Sequence, residues 1–348
     1  MPITIDDPMQ VPTYRGFGLQ KTFESWLYDP RDVVFLVLTL KVLALMVPLL
    51  VAMCVHFHWA LMVTYLVLWL WYVSPVILML HNTMHRPFIR GSRWVNRAHA
   101  LVLSMLFGIP TGYMEHHVGM HHVENNVGED LSATWRYERD NFLHWLHYFA
   151  RFLFLITLEL PSYLRRKKRK AMARAALIGA VLEITIGIGF FMLDWRIGVF
   201  AFALPWFLCR FAMMIGNWGQ HAFIDPARPA DSLVNSITCI NSGYNKRCFN
   251  DGYHIGHHVK PNRHWADMPR DFLESQAEYA KAGSIVFTGI DFFVVSVLLF
   301  ARRYDILANR FVSLDGKERT QAEIIEFLKS RTRPIGEALP TTVVNAAA

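Results

Sequence analysis

The amino-acid sequence predicts an all-α integral membrane fold, with four transmembrane helices in two hairpins, re-entrant or interfacial helices and a cytoplasmic helical cap. Composition is the first observation behind this prediction, because 53% of the 348 residues are hydrophobic and only 18% are charged. A soluble domain usually carries about 25% charged residues, so the composition argues against a soluble enzyme. The second observation is a set of long apolar stretches, and the third is the clustering of basic residues and histidines near their ends.

Four apolar stretches are long enough to cross a bilayer, which requires about 20 mostly apolar residues. The predicted spans are residues 33–55, 60–80, 176–193 and 197–216. Only the short turns 56–59 and 194–196 separate the members of each pair, so each pair is expected to form a helical hairpin. Two shorter apolar stretches, 98–114 and 285–301, contain Gly, Pro or Asp and are predicted to be re-entrant or interfacial helices.

Basic residues gather on the side of the spans that is opposite these short turns. They are Arg86, Arg90, Arg93, Arg97, Arg174 and the run of six at 165–170. Because cytoplasmic loops carry an excess of lysine and arginine, we expect this side and both termini in the cytoplasm. The predicted organisation is a cytoplasmic segment at 1–32, a membrane domain with its cap at 33–305 and a cytoplasmic tail at 306–348.

Four histidine-containing motifs, called boxes below, lie at the predicted cytoplasmic ends of the spans or in the cap. The first is HxxxH, the second HxxxHH, the third NxxxH and the fourth HxxHH. Their members are His81 and His85; His117, His121 and His122; Asn217 and His221; and His254, His257 and His258.

Each box contains two residues that are four positions apart. On a helix such residues share one face at a separation of about 6 Å, so two imidazoles can converge on one metal ion. Nine imidazoles exceed the four ligands that one zinc ion takes, and they suit two ions with five or six ligands each. The cap is therefore predicted to hold a dinuclear metal site. Imidazole binds iron, zinc, copper and nickel, so ligand chemistry alone leaves the metal open.

The boxes resemble those of the membrane fatty-acid desaturase superfamily, which contains diiron oxidases of lipid chains. The matching strings are His81-Asn-Thr-Met-His85, Glu115-His-His-Val-Gly-Met-His-His122, Asn217-Trp-Gly-Gln-His221 and Asn250-Asp-Gly-Tyr-His-Ile-Gly-His-His-Val-Lys-Pro261. The resemblance implies two non-haem iron ions held by the nine box histidines, O2 as co-substrate, and a fatty acid or acyl chain as substrate. It also implies that Asn217 approaches iron through water.

The branch of the superfamily is less well defined by the sequence. The HxxxHH spacing of the second box, followed by Glu129 and Asp130, looks more like the alkane ω-hydroxylases. The fourth box, followed by Pro261, His264 and Trp265, looks more like the desaturases. Fatty-acid desaturation is the predicted reaction. Oxidative decarboxylation of free fatty acids to terminal 1-alkenes, as in another branch of the superfamily, and hydroxylation are the alternatives.

Acidic residues near the boxes are candidates for orienting the imidazole ligands, as metal-bound histidines generally require. Glu115, Glu124, Asp130 and Asp251 lie close to boxes in the sequence. Glu115 and Asp251 are the two that we expect to act in this way, and a solvated loop charge is the alternative interpretation for each of the four.

Three charged residues, Lys41, Glu183 and Arg210, lie within the predicted spans. Such residues are costly in a bilayer and usually face the interior of the helix bundle. All three lie about 10–13 Å from the cytoplasmic ends of their helices, so they can pair. Arg210 is predicted either to form an ion pair with Glu183 that joins two helices, or to bind the carboxylate of the substrate.

An external electron donor is expected because the sequence has no His-Pro-Gly-Gly haem motif and no cluster of its four cysteines. The candidates are a separate ferredoxin, rubredoxin or cytochrome with its reductase. Membrane lipid is the other expected partner, because the net charge of +7 suits anionic headgroups, and no nucleic acid is expected. The bacterial inner membrane is favoured over the endoplasmic reticulum. The alternatives outside this enzyme class are a metal-binding membrane protein and a transporter, although a transporter would place polar groups near the bilayer midplane.

Overall fold

The computed structural model describes residues 3–12, 20–91 and 93–336. The ends of the predicted terminal segments, at 1–2 and 337–348, lie outside the described residues, as do 13–19 and Ser92. The described chain is mostly helical and forms two compact units. We call residues 10–116 and 160–212 the membrane unit, and residues 3–9, 117–159 and 213–336 the histidine unit, in each case within the described ranges.

The α-helices in the described part of the chain are numbered in chain order. They are α1 (Gln20–Ser25), α2 (Val33–Val55), α3 (Trp59–His85), α4 (Arg93–Phe107), α5 (Tyr113–His116), α6 (His122–Glu124), α7 (Phe142–Arg166), α8 (Lys170–Leu193), α9 (Trp195–Ile197), α10 (Leu204–Gln220), α11 (Gly243–Arg247), α12 (His254–Val259), α13 (Met268–Glu274), α14 (Gln276–Ala282), α15 (Phe292–Phe300), α16 (Tyr304–Arg310) and α17 (Gln321–Ser330). The strands are β1 (Ile237–Ile240) and β2 (Ile285–Thr288).

The four predicted spans are confirmed, each with the length and composition of a transmembrane helix. They are Pro30–Val55, Trp59–His85, Lys170–Leu193 and Trp195–Gln220. The second span is longer than predicted and contains the first histidine box in its last turns. The fourth span is interrupted between α9 and α10 by the π-helical segment Gly198–Ala203, where Leu204 N donates to Val199 O, five residues earlier.

The outer face of α8 carries exposed apolar side chains, as expected for a helix in contact with lipid. Leu177, Val181, Ile184 and Ile188 lie along this helix with exposed fractions of 54%, 54%, 57% and 55%. A continuous apolar surface of this kind is rare on soluble proteins and marks contact with lipid or a partner. Together with the length of the spans, it makes the chain an integral membrane protein.

Both hairpin turns are short because a side chain caps the helix that follows. His58 accepts a hydrogen bond from Ala60 N at the start of α3. Asp194 accepts one from Arg196 N at the start of α9, at 2.8 Å. Such caps satisfy backbone donors that the first turn of a helix leaves without partners, so each turn needs only a few residues.

The two shorter apolar stretches differ from the prediction in their detail. In the stretch 98–114, α4 ends at Phe107 and α5 starts only at Tyr113. Gly108 separates them with a φ of +72°, and a Cβ there would lie 2.5 Å from Trp206 N, so only glycine fits. In the stretch 285–301, the first four residues form β2, and helix α15 starts at Phe292. Each stretch thus contains helix, as predicted, but the helix covers only part of it.

The core of the histidine unit surrounds a parallel two-stranded sheet, in which Ile237 of β1 pairs with Ile285 of β2. Alternate strand residues point to opposite faces. Cys239 and Phe287 belong to one buried cluster, which also holds Leu307 and Leu328, whereas Ile240 belongs to another, which also holds Tyr253 and Ile255. The sheet thus anchors the segments that carry the fourth histidine box.

Candidate metal centre

The first histidine box lies at the end of α3 in the membrane unit. His81 and His85 are one helical turn apart, with ring centroids separated by 5.5 Å. Each offers a ring nitrogen within 4.8 Å of the other's. This is the arrangement that the spacing of four residues predicts for two imidazoles that bind one ion.

The second box has a different geometry from the predicted one. His117–His121 is a π-helical segment, in which hydrogen bonds join residues five apart rather than four. His117 Nε2 consequently faces His122 Nε2 at 3.0 Å. We expected His117 and His121 to converge on one metal ion. That expectation was wrong, because the box histidines form two separate groups, defined below, and His117 and His121 belong to different ones.

The fourth box distributes its three histidines between the same two groups. His254 and His258 are four residues apart on α12, and their Nε2 atoms lie 3.1 Å apart. His257 Nε2 instead faces His122 Nε2 at 3.0 Å. Neighbouring positions on a helix point about 100° apart, so α12 presents adjacent histidines to separate groups.

The seven box histidines of the histidine unit therefore form two groups. The four-histidine group contains His121, His221, His254 and His258, all of them buried. The three-histidine group contains His117, His122 and His257. Within each group the candidate ligand nitrogens lie within 4.8 Å of one another.

Burial favours the neutral imidazole for two members of the four-histidine group, His221 and His258. Burial lowers the pKa of His221 to about 3, and neighbouring His121 adds to this effect. Burial also places the pKa of His258 well below its usual value, with smaller contributions from His254 and His122. Metal binding requires the neutral ring, so burial prepares these side chains as ligands.

Hydrogen bonds from the opposite ring nitrogens orient two members of this group. His121 Nδ1 lies 2.7 Å from Asp130 Oδ2, and His221 Nδ1 lies 2.8 Å from Asn235 O. A proton on Nδ1 leaves a lone pair on Nε2, which is the usual way in which proteins select the metal-binding tautomer.

The donor set fits a metal ion. The buried Nε2 of His121 has no hydrogen-bond partner among the described residues, and an uncompensated buried polar atom is costly unless a ligand satisfies it. His221 Nε2 and His254 Nε2 face each other at 3.2 Å. Nitrogens that each lie about 2.1 Å from one ion come this close when they are neighbouring ligands. All these donors are imidazoles, which suits iron and its neighbours in the first transition row.

Residues 57–289 match the sequence model of the fatty acid desaturase family. This range covers more than half of the chain and contains all four boxes. The chain belongs to the fatty acid desaturase family. No curated protein and no solved structure matches it. Family membership makes the chain a membrane oxidoreductase of fatty acyl chains, and the resemblance read from the boxes is confirmed.

Among the four acidic candidates near the boxes of this family member, Asp130 makes a direct contact with a box histidine. Its other oxygen, Oδ1, accepts hydrogen bonds from Ser132 N at 2.8 Å and Ser132 Oγ at 2.7 Å. Both carboxylate oxygens are therefore in use, and the side chain is held in the orientation that meets His121.

The other acidic candidates have different contacts. Asp251 accepts hydrogen bonds from Tyr244 Oη at 2.8 Å and Gln220 Nε2 at 3.2 Å. Burial raises the pKa of Glu115, while its own backbone and the charge of Arg97 act in the opposite direction. Neither observation tests whether Glu115 and Asp251 orient imidazole ligands, so these two roles stay predictions.

Asn217 lies one helical turn before His221, near the end of α10. Its Nδ2 donates to Ser132 O at 3.0 Å and to Tyr148 Oη at 2.7 Å, and Tyr148 Oη donates to the same Ser132 carbonyl at 3.1 Å. Burial keeps the pKa of Tyr148 well above its usual value, so the phenol remains a donor. Asn217 thus joins α10 to the segment that carries Asp130.

Arg210 and Glu183 form a buried ion pair within the membrane unit. Arg210 Nη2 lies 2.6 Å from Glu183 Oε1. Arg210 Nη1 donates to Gly108 O and Trp206 O, at 3.1 and 3.3 Å, and Glu183 Oε2 accepts from Thr111. Because Arg210 already has these partners, its contacts favour the structural role, an ion pair with Glu183, over binding of the substrate carboxylate.

Arg139 supports the histidine unit and was not recognised from the sequence. Its side chain is fully buried and donates to six backbone carbonyls, those of Thr134, Trp135, Tyr137, Ala222, Arg331 and Arg333. Burial lowers its pKa to about 9. A lone arginine in a loop-rich segment gives no periodic signal, so only its contacts reveal the role.

Proposed function

We propose that this chain is an O2-dependent oxidase that removes hydrogen from a fatty acyl chain, with desaturation as the favoured reaction. The observation that carries the proposal is the division of the box histidines into two compact groups, in a chain of the fatty acid desaturase family. Two groups of this kind suit a dinuclear centre.

We assign all nine box histidines as ligands of two non-haem iron ions. The described geometry supports this assignment for the seven histidines of the histidine unit. The family resemblance and the spacing of the first box support the inclusion of His81 and His85. Asn217 is assigned to the vicinity of the metal through water, and Glu115 and Asp251 to the environment of the ligands, on the basis of the sequence alone.

Iron supplies O2 activation and hydrogen abstraction when it is bound. The chain supplies the rest. Asp130 and Asn235 fix the tautomers of His121 and His221, so that Nε2 is available on each ring. Burial of the four-histidine group excludes water from its donors, which protects a reactive centre from side reactions.

The site is proposed to lie on the cytoplasmic side of the membrane. The basic run at 165–170 and Arg174 support this orientation, because cytoplasmic loops carry an excess of lysine and arginine, and the bacterial inner membrane is the proposed location. We also propose a separate ferredoxin, rubredoxin or cytochrome with its reductase as electron donor, because a basic surface favours association with an acidic donor.

The proposed catalytic domain covers residues 33–305. Leu307 and Leu328 lie fully buried in the core of the histidine unit, which supports adding α16 and α17 to this domain. Residues 1–32 and 306–348 are proposed to lie in the cytoplasm.

Product analysis tests the proposed reaction. Membranes that contain the protein, supplied with a fatty acid or its acyl carrier ester, O2 and a reduced electron donor, should yield a fatty acid with an internal double bond, detected by gas chromatography and mass spectrometry. The His254→Ala variant is the control for background activity. A terminal alkene would establish decarboxylation, and an alcohol would establish hydroxylation. No oxidised product and no lipid-dependent O2 consumption would contradict the proposal.

A further inference from the structure

The segment Ile3–Met9 packs against the core of the histidine unit, although it is more than 200 residues from the fourth box in the sequence. Ile3 and Ile5 pack against the buried cluster that contains Ile240, Tyr253 and Ile255. Tyr253 immediately precedes the first histidine of α12. The apolar side of the segment therefore rests on the base of the fourth box.

The polar side of the segment is centred on Asp7, which is 4% exposed. Its Oδ2 accepts three hydrogen bonds, from Asn241 N at 2.7 Å, Tyr253 Oη at 2.7 Å and Asn245 Nδ2 at 3.0 Å. These donors come from the residue after β1, the residue before α12, and α11. A single carboxylate oxygen thus joins the three parts of the chain that surround the fourth box.

The turn that leads into α12 needs such support. Phe249 and Asn250 both have left-handed backbone conformations, with φ of 51° and 53°. Non-glycine residues persist in this region only when the surrounding structure holds them there. Asn250 Nδ2 donates to Pro8 O at 2.7 Å and to Trp265 O at 3.1 Å, so the residue after Asp7 contributes directly to holding the turn.

Asn245 links Asp7 to Gly252, which lies further along the same turn. Its Nδ2 is shared between Asp7 and Cys239 O, at 3.0 and 2.9 Å, and its Oδ1 accepts from Gly252 N at 2.9 Å. A Cβ on Gly252 would lie 2.3 Å from both Asn245 Oδ1 and Cys239 O. Gly252 is therefore clamped two residues before His254.

We propose that Asp7 is a positioning residue for the metal centre, and that residues 3–9 act as a strap that holds α12 in place. The proposal rests on the proposed function, because it takes His254, His257 and His258 as metal ligands. Since α12 supplies histidines to both groups, release of the strap should weaken both metal sites. The negative charge of Asp7 matters, because an amide oxygen at the Oδ2 position could still accept the three hydrogen bonds but would lose their charge assistance, and its NH2 group would take the place of the buried Oδ1, which has no hydrogen-bond partner among the described residues.

The test compares Asp7→Asn with Asp6→Asn. Asp6 is the matched control because its side chain is exposed and the contact of this residue with Asn241 uses its backbone N. The apo forms of the full-length protein are titrated anaerobically with Co²⁺, and visible absorption reports both affinity and ligand geometry. We expect Asp7→Asn to weaken Co²⁺ binding by at least about tenfold, the lower range for residues that orient ligands, and to change the spectrum, while Asp6→Asn matches the wild type.

Thermal melts of the apo proteins separate positioning from general stability. A purely structural role for Asp7 would lower the melting temperature and leave the Co²⁺ spectrum of the folded protein unchanged, which would overturn the proposal. Tyr253→Phe removes one of the three hydrogen bonds with little change in shape. We expect it to weaken Co²⁺ binding in the same direction, and it provides the test if Asp7→Asn does not fold. Wild-type affinity in both variants would overturn the strap.

The outcome also distinguishes the strap from the proposed function. A wild-type protein that binds no Co²⁺ would overturn both. Wild-type binding of two Co²⁺ ions, with wild-type affinity in both the Asp7→Asn and the Tyr253→Phe variants, would overturn the strap alone. Non-additive losses in the Asp7→Asn, Tyr253→Phe double variant are expected, because the two residues share one hydrogen bond.

Discussion

At the scale of single residues, the contact between His121 and Asp130 is the clearest case in the candidate metal centre of a side chain that orients a box histidine. The two side chains lie 2.7 Å apart and are almost completely buried. One carboxylate oxygen of Asp130 accepts a hydrogen bond from Ser132, and the other contacts His121 Nδ1. An acidic residue nine positions away along the chain is difficult to assign to a particular histidine from spacing, which is why Asp130 could be only one candidate of four.

Asp130→Asn should weaken metal binding at the four-histidine group by about 10- to 100-fold. An asparagine has one acceptor oxygen, so it can satisfy Ser132 or His121 but not both, and its NH2 would face a donor. Metal titration of the apo protein measures the effect, with the exposed neighbour Glu129→Gln as the control. Equal affinity in the two variants would show that Asp130 does not orient a ligand.

The Glu183–Arg210 pair supports a second prediction at this scale. Arg210→Ala leaves the Glu183 carboxylate without its cation and should destabilise the fold by about 3–5 kcal/mol. Glu183→Ala should have a similar effect, and the double variant should recover part of the loss. Thermal melts of detergent-solubilised protein measure these changes, with Lys41→Ala, at an exposed position in α2, as the control.

The alternative role of Arg210 predicts a different pattern. If Arg210 binds the carboxylate of the substrate, Arg210→Ala should spare stability and raise the Michaelis constant for free fatty acid, with no effect on alkanes. Strictly additive losses of stability in the double variant would show that the pair is not coupled.

At the scale of elements, the π-helical segment His117–His121 decides which histidines act together. The expected spacing of four residues holds for His81 with His85 and for His254 with His258. It fails in the second box, because the wider turn brings residues five apart into register. A π-helical turn has no simple sequence signature, so the pairing of His117 with His122 could not be read from the HxxxHH pattern.

Pairs of alanine substitutions test this assignment. His121→Ala with His258→Ala should remove one ion and leave about one metal per chain, since both belong to the four-histidine group. His122→Ala with His257→Ala should likewise leave about one. His121→Ala with His122→Ala damages both groups and should leave fewer. Metal analysis of purified variants measures the ratio. The same metal content in all three double variants would contradict the division into two groups.

The ends of the spans were predicted to within six residues, because the bilayer sets the length and composition of a transmembrane helix. The strand β2 was missed because a short apolar run fits a helix and a strand equally well. Its parallel pairing with β1 depends on a segment almost 50 residues away in the chain. Asp7 and Arg139 were missed for a related reason, since each acts through contacts distant in sequence and neither belongs to a periodic pattern.

For the whole molecule, the positive-inside rule predicts the orientation. Arg165→Cys, at an exposed position before α8, should react with a membrane-impermeant maleimide only from the cytoplasmic side. His56→Cys, in the turn between α2 and α3, should react only from the opposite side. Both are measured in right-side-out and inverted vesicles, with native cysteines replaced as the control. Labelling of the two positions from the same side would contradict the predicted topology.

The measurement that tests the central claim most directly is the iron content of protein purified anaerobically from iron-replete cells. The two histidine groups predict about two irons per chain in the wild type. They also predict about one iron per chain when His121 and His258 are replaced together by alanine. A wild-type protein that holds a single metal ion, or a double variant that retains two irons, would contradict the dinuclear centre on which the proposed function depends.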